Sequence, residues 1–441
     1  MACWTPSSRE KRSSLLWPIG CRSRPADNMD YDESVRYLDR LGNEVLGMRF
    51  GLETIRALLR TLGDPQNNFP SVLVAGTNGK GSVASFLANI LSSAGYRTGL
   101  YLSPHVVQLE ERFQIDGQLI SRPDLAACLS KVADGVRESG CQPTYFETVT
   151  ATAFLYFSRY AVQVAVLEVG MGGRLDSTNV VDPLLSVITP IGLDHQRQLG
   201  PTIEQIAGEK AGIIHQSRPV LTAPQVPEAY GVLCSRAEVL QAPFHKLQEN
   251  EISVVNFEEG RLSLTFHGVT ATPRLLGAHQ VQNAALAIRA AELLEPRFTV
   301  SGSAMAQGIE RTRIPGRIQR ISEKPLILVD GGHNRQAAAN LVKFVEAETA
   351  QPRALVFSMM RDKDIQEVAE ILRPAFDKVY VTAMESPRAA PIVQLLEAFP
   401  EATAVGHVID ALERAKASSP ATIVVFGSFY LAGEVLRLGI G

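Results

Sequence analysis

What most constrains this chain is the stretch from Ser71 to Leu91. An apolar run, Val72 to Ala75, feeds Gly76-Thr77-Asn78-Gly79-Lys80-Gly81-Ser82, and Val83, Phe86, Leu87, Ile90 and Leu91 follow at helical spacing. The pattern reads as strand, glycine-rich loop and helix. Glycine permits the sharp turn and lets backbone N–H groups converge; the helix N-terminus adds partial positive charge and Lys80 a full one. Such a loop holds phosphate, and ATP is the ligand it is read to bind. It is a variant of the common GxxxxGK[ST] loop: Val74 stands where that pattern has its first glycine, and Gly81 follows the lysine, so the hydroxyl falls on Ser82. The flanking strand and helix weigh against a glycine turn without function.

At 441 residues the chain exceeds what one hydrophobic core usually serves, so two domains are expected. A net charge of -3 with both signs interspersed leaves no footprint for nucleic acid. The five cysteines are odd in number and form no CxxC pair, which argues against a disulfide framework or a zinc site and fits a cytoplasmic protein. Residues 1–28 differ from the rest: Arg9, Lys11, Arg12, Arg22 and Arg24 outnumber Glu10 and Asp27 amid Ser and Pro, and a disordered N-terminal extension is expected. Leu15-Leu16-Trp17 has the look of a secretory signal's apolar centre, but Pro18 interrupts it and two arginines follow. No later run reaches the ~18 apolar residues of a membrane span.

From Asp30 the chain is periodic. Helices are expected over Tyr31 to Leu41 and Leu52 to Leu62, then the phosphate loop, then a strand from Thr98 to Leu102 that ends in Ser103-Pro104-His105. A hairpin turns at Asp116-Gly117, and helices are expected from Asp124 to Val136 and from Phe146 to Tyr160. The apolar strand Val162 to Val169 carries Glu168 near its end and meets a second glycine-rich turn, Gly170 to Asp176. Carboxyl ends of strands are where α/β sheets bind ligands, so Glu168 is read as a metal or substrate residue. The strand Leu184 to Thr189 runs into Gly192-Leu193-Asp194-His195, Thr202 to Gln205 forms a capping box, and the helix it opens carries Lys210. On their own, His195 would be structural and Lys210 a solvated charge. Strands follow at Arg218 to Leu221 and in a hairpin, Ile252 to Phe257 with Leu262 to Phe266, turning over Glu258-Glu259-Gly260. An alanine-rich helix opens at His279 and stops at Glu295-Pro296, where the domain boundary is set. Beyond it Leu326 to Val329, Ala354 to Phe357, Val379 to Thr382 and Ile423 to Phe426 alternate with helical patterns. The fold class is α/β: a mononucleotide-binding parallel-sheet domain over 29–297, then a smaller Rossmann-like α/β domain over 298–441.

These motifs together resemble the folylpolyglutamate synthase and dihydrofolate synthase branch of the Mur ligase superfamily. The resemblance runs from about Tyr31 to the C-terminus through Ala75 to Ser82, Leu102 to His105, Glu168 to Asp176, Gly192 to His195, Glu209 to Ile213, His279-Gln280 with Asn283, Pro315 to Arg317, and Asp330 to Asn334. It implies that ATP phosphorylates a carboxylate and that the amine of L-glutamate attacks the acyl phosphate, giving an amide, ADP and phosphate. Dihydropteroate and reduced folates are the implied acceptors, and a monomer free of nucleic acid and membrane is expected. By resemblance Thr77, Asn78, Gly79, Lys80, Gly81 and Ser82 bind the nucleotide with Asn283, Arg317 and Asp330. Ser103 and Glu168 hold one Mg2+ and Glu168 with His195 a second; Lys210 matches a lysine that the family carbamylates; His333 lines the same cleft. Lys80, Lys210 and His333 are the implied catalytic residues. Oxygen ligands suit magnesium and imidazole does not, so His195 rests on the resemblance alone. The chain departs from the family at Gly332, Arg335 and His215. Three alternatives remain at this point: a folylpolyglutamate synthase without dihydropteroate activity, a peptidoglycan ligase, and a nucleotide-dependent switch.

Overall fold

Short strands buried on both faces build two parallel sheets, and helices cover them. The computed structural model describes residues 28–42, 51–256, 261–295 and 297–439. The expected N-terminal extension, apart from Asn28, and the turn over 258–260 lie outside them.

In the first sheet the strands lie in the order Gln118–Leu119, Phe113–Ile115, Thr98–Tyr101, Val164–Glu168, Ser71–Ala75, Leu185–Ile188, Val220–Thr222, Phe244–Lys246. The hairpin at one edge and its pairing with Thr98–Tyr101 are antiparallel, and the other pairings are parallel. Alternation along each strand sends side chains to two separate cores. Val72, Val74, Val164 and Val166 pack with the helices Lys80–Ser93 and His279–Leu293, whereas Leu73, Ala75, Ala165 and Leu167 pack with Arg122–Ser139 and Tyr145–Arg159. A slip of one residue would exchange the two sets, so the register is fixed from both faces. Val74 therefore stands opposite Glu168, which puts that carboxylate beside the phosphate loop.

A small antiparallel sheet, Ser253–Asn256, Leu262–Phe266 and Val269–Ala271, adds Leu264 and Phe266 to the first of these cores. The helix Gly302–Arg311 follows the boundary set at 297/298, yet it packs on Lys80–Ser93: Met305 and Ile309 join the same core, and a Cβ at Gly308 would lie 2.5 Å from the backbone of Ile90. By packing, this helix belongs with the first sheet.

The second sheet has the order Gln319–Glu323, Leu326–Asp330, Thr422–Phe426, Arg353–Phe357, Lys378–Thr382, Thr403–Val405, parallel except for its first pair. The carboxyl ends of its central strands present Asp330 to Asn334, Met359 to Lys363 and Ser428-Phe429 to the loops of the first domain. Among the described residues no helix is long and apolar enough to cross a membrane.

Candidate active site

The phosphate loop is built as the sequence predicts, and two of its glycines are obligatory. Gly76 has φ +148° and a Cβ there would meet the Thr189 Oγ1 at 1.8 Å; Gly79 has φ +85° and its Cβ would lie 2.6 Å from Asn283 Oδ1. The N–H groups of Thr77 and Asn78 donate to Pro190 O at 3.0 and 3.4 Å, which anchors the loop's first half. Those of Lys80, Gly81 and Ser82 open the Lys80–Ser93 helix, where no intrahelical carbonyl is within reach. The phosphate cradle is therefore this first turn with the Lys80 ammonium, which donates to Thr77 O at 3.3 Å. Burial lowers the pKa of Lys80, and the charges of Glu168 and Asp194 partly restore it.

Glu168 is 5% exposed; its Oε2 accepts the Ser103 N–H at 3.1 Å, and burial raises its pKa against the pull of Lys80. The Ser103 Oγ is buried and has no hydrogen-bond partner among the described residues. A carboxylate and an orphaned hydroxyl side by side are a donor set suited to a hard cation. His195 lines the same cleft with φ +50°, and burial holds its pKa down at about 3, so its imidazole is neutral. Among the described residues no three His, Cys, Asp or Glu side chains are grouped as a metal site. Any ion here would rely on the Ser103 hydroxyl.

Lys210 is buried and donates to Gly76 O at 2.6 Å. Burial, with the Lys80 charge second, drives its pKa down to about 7, leaving a substantial fraction as neutral amine near neutrality. From the His279–Leu293 helix, Asn283 reaches Gly79, while its own amide donates to Gln280 Oε1 at 3.0 Å. The second domain supplies the opposite wall. Asp330 ends the strand Leu326–Asp330 and accepts N–H groups from Ile318 and Gly332 at 2.9 and 2.7 Å; the Arg317 guanidinium lies 4.5 Å from the Phe429 ring centre. His333 stands 3.5 Å from Asp194 Oδ2, and burial lowers its pKa. All the residues singled out from the sequence, from Thr77 to His333, line one cleft between the two domains.

Three features escape the sequence. Asp194 forms a buried ion pair with Lys363 across the domains. Burial opposes ionisation of Asp194, but the His333 hydrogen bond and the Lys363 charge outweigh it and hold its pKa well below the usual carboxylate range. The Asn78 side chain binds Asn334 and Gln336 of the second domain. A largely apolar cavity adjoins the cleft, lined by Pro104, Phe146, Met171, Met360, Phe429 and Tyr430, with Lys363 and Arg388 at its edge. Lys363 lies in the loop after the strand Arg353–Phe357, at the carboxyl edge of the sheet where α/β folds carry ligand residues, but nothing local ties it to Asp194.

The fold and cleft define an ATP-using ligase in which a phosphate loop on one domain faces Arg317, Asp330 and His333 of another. Residues 74–291 match the Mur ligase middle domain and 316–429 the Mur ligase glutamate ligase domain. The chain is 36% identical to the Bacillus subtilis dihydrofolate synthase/folylpolyglutamate synthase, over 90% of this chain and 96% of that protein. It is 33% identical to the Escherichia coli protein of the same description, over 91% and 94%. The structure of Mycobacterium tuberculosis folylpolyglutamate synthase complexed with ADP and AMPPCP superposes with a TM-score of 0.84 at 32% identity, covering 93% of this chain and 99% of that one. E. coli FolC in complex with DHPP and ADP gives 0.83 at 32%, covering 93% and 97%. The chain belongs to the Mur ligase family, in its dihydrofolate synthase/folylpolyglutamate synthase branch, whose members are ATP-dependent carbon-nitrogen ligases.

Proposed function

We propose that this enzyme joins L-glutamate to dihydropteroate, giving dihydrofolate, and to reduced folates that already carry glutamate. The convergence of Lys80, Glu168 and Lys210 from one domain with Arg317, Asp330 and His333 from the other on a single cleft carries this reading. A carboxylate is a poor acyl donor, so the reaction has two chemical steps. The γ-phosphoryl of ATP passes to the acceptor carboxylate with loss of ADP, and the glutamate amine then displaces phosphate to form the amide. Charge develops on the phosphoryl oxygens in the first step, and Lys80 with the first-turn N–H groups is placed to stabilise it. Magnesium, held through Ser103, Glu168 and His195, would supply further positive charge to the phosphate oxygens. The neutral amine of Lys210 is suited to carbamylation, in which it would add carbon dioxide and lose a proton to become an anion.

The acceptor's flat ring system fits the apolar cavity of Phe146, Met171 and Phe429, with its carboxylate toward Ser103 and Lys80. Both acceptors present a carboxylate at the end of an extended aromatic body, so one centre serves both if the distal cavity admits different lengths. The working unit is taken as one chain in the cytoplasm, since one chain supplies every residue named. The test is ADP formation dependent on both L-glutamate and acceptor, run separately with dihydropteroate and tetrahydrofolate. Turnover with both is expected. Turnover with tetrahydrofolate alone would confine the enzyme to polyglutamate synthesis, and turnover with neither would overturn the reading.

A further inference from the structure

Between the phosphate cleft and a second, polar groove lies a wall made by two amides. Asn334 Nδ2 donates to Asn78 Oδ1 at 3.1 Å and to Asp194 Oδ2 at 3.2 Å. Its Oδ1 accepts Asn78 Nδ2 at 3.3 Å and the Ala337 N–H at 3.0 Å. Asn78 Nδ2 also donates to Gln336 Oε1 at 2.8 Å, while the Asn78 N–H is tied to Pro190. Asn334 is 8% exposed, so its bonds to Asn78 and Asp194 are partly shielded from water, while the Asn78–Gln336 bond lies at the surface.

Capping the Arg335–Glu348 helix needs only an oxygen acceptor at position 334, which serine or aspartate would supply as well. Donation to Asn78 and to Asp194 at once requires an amide. Asp194 in turn holds Lys363 and stands against His333. One side chain thus connects the phosphate loop, the His333 turn and, through Asp194, Lys363.

Resting on the ligase reading above, we infer that Asn334 is a positioning residue: with Asn78 it clamps the second domain onto the phosphate loop while the acyl phosphate forms and is consumed. Without the clamp the first domain keeps its phosphate cradle, but the wall carrying Arg317, Asp330 and His333 is no longer held against it. Acyl phosphate made in a loosened cleft is exposed to water, which takes the acyl group in place of the glutamate amine and releases the same phosphate without an amide.

The experiment compares the full-length wild type with Asn334→Ser, Asn334→Asp, Asn78→Ala and the double variant Asn78→Ala/Asn334→Ser. Amide formed, phosphate released and thermal stability are measured at saturating L-glutamate. Loss of the reciprocal pair should lower the rate of amide synthesis about tenfold to a hundredfold, as expected for two partly shielded hydrogen bonds. The double variant should be no slower than the slower single variant, and phosphate released per amide should rise above one. Asn334→Asp should be slower than Asn334→Ser although it caps the helix at least as well, because its carboxylate would face Asp194. Asn78→Ala leaves the cap untouched and guards against loss of the fold. Losses that multiply in the double variant, or a phosphate-to-amide ratio that stays at one, would overturn the clamp alone. A wild type that makes no amide would overturn the ligase reading and the clamp with it.

Discussion

Replacing Gly81 with alanine separates the stability of the phosphate loop from its chemistry. Gly81 lies in the first turn of the Lys80–Ser93 helix and, unlike Gly76 and Gly79, has no positive φ, so its backbone accepts alanine without strain. Alanine's helix propensity favours the variant by up to about 1 kcal/mol. The added Cβ would lie 3.3 and 3.5 Å from the two carboxylate oxygens of Glu168. That is close enough to displace the carboxylate by a few tenths of an ångström, and Glu168 cannot yield easily. It ends a buried strand, is 5% exposed and is held by the Ser103 N–H. Crowding therefore offsets the propensity gain, and overall stability should stay within about 1 kcal/mol of wild type. Turnover should fall about tenfold to a hundredfold, since sub-ångström misplacement at a reacting centre has costs of that order. The magnesium concentration for half-maximal ADP formation should rise. The assay is glutamate-dependent ADP formation across a magnesium titration, with thermal melting alongside. Wild-type turnover and an unmoved magnesium midpoint would refute the assignment of Glu168 to the ion, and a variant that melts well below wild type would refute the packing argument.

Lys80→Ala should lose amide synthesis by several orders of magnitude while its circular dichroism is unchanged, because its charge acts on the developing phosphoryl charge; near-normal turnover would remove the lysine from the mechanism. Glu168→Gln should reduce magnesium-dependent turnover more severely than His195→Ala, since the carboxylate supplies charge and the imidazole does not; equal and mild losses would contradict the ion assignment. For Lys210, burial lowers the pKa from its ordinary 10.5 to about 7, so between those values the unfolded chain holds a proton that the folded chain lacks. Folding is therefore penalised increasingly as pH falls toward 7, by on the order of 4 kcal/mol, and the penalty is relieved as pH rises. Lys210→Met should be inactive yet more resistant to urea at pH 7, with its advantage shrinking by pH 9.5; an advantage independent of pH would show that the amine is not buried uncharged.

The phosphate loop was legible because its glycines, its lysine and the change from strand to helix period lie in one short stretch. Glu168 was legible because a carboxylate at the end of an apolar strand has few structural reasons to be there. The boundary at 297/298 leaves the helix Gly302–Arg311 on the second domain's side, whereas Met305 and Ile309 pack on Lys80–Ser93; sequence periodicity does not say which sheet an apolar stripe meets. Strands at Phe244–Lys246, Gln319–Glu323 and Thr403–Val405 are short and polar in part, and carry little pattern of their own. The side-chain bonds of Asn78 to Asn334 and Gln336 span 256 and 258 residues and carry no local signal. The pair of Asp194 with Lys363 joins residues 169 apart, and no local signal encodes it. At Gly332 a Cβ would lie 2.7 Å from Asp330 Oδ1, from Ala337 Cβ and from Phe426, so this packing requires glycine.

The division of charge between the domains bears on how they dock. Lys80 and Lys210 come from the first domain, Arg317 and Lys363 from the second, and closing the cleft brings like charges together in a buried setting. Lys363 and Arg317 act on Lys80 to weaken its hold on a proton, and Lys80 does the same to Lys210. Asp194 and Glu168 offset part of this repulsion, Asp194 by pairing with Lys363. The uncharged amides of Asn78 and Asn334 hold the interface without adding to the charge. An anionic nucleotide changes the balance, because its phosphates neutralise the cations whose approach resists closure. Nucleotide binding and domain docking are then thermodynamically linked: whatever factor the closed state adds to nucleotide affinity, the nucleotide returns to closure. The buried cations are thus both a source of phosphate affinity and a repulsion between the docked domains that bound phosphate would relieve.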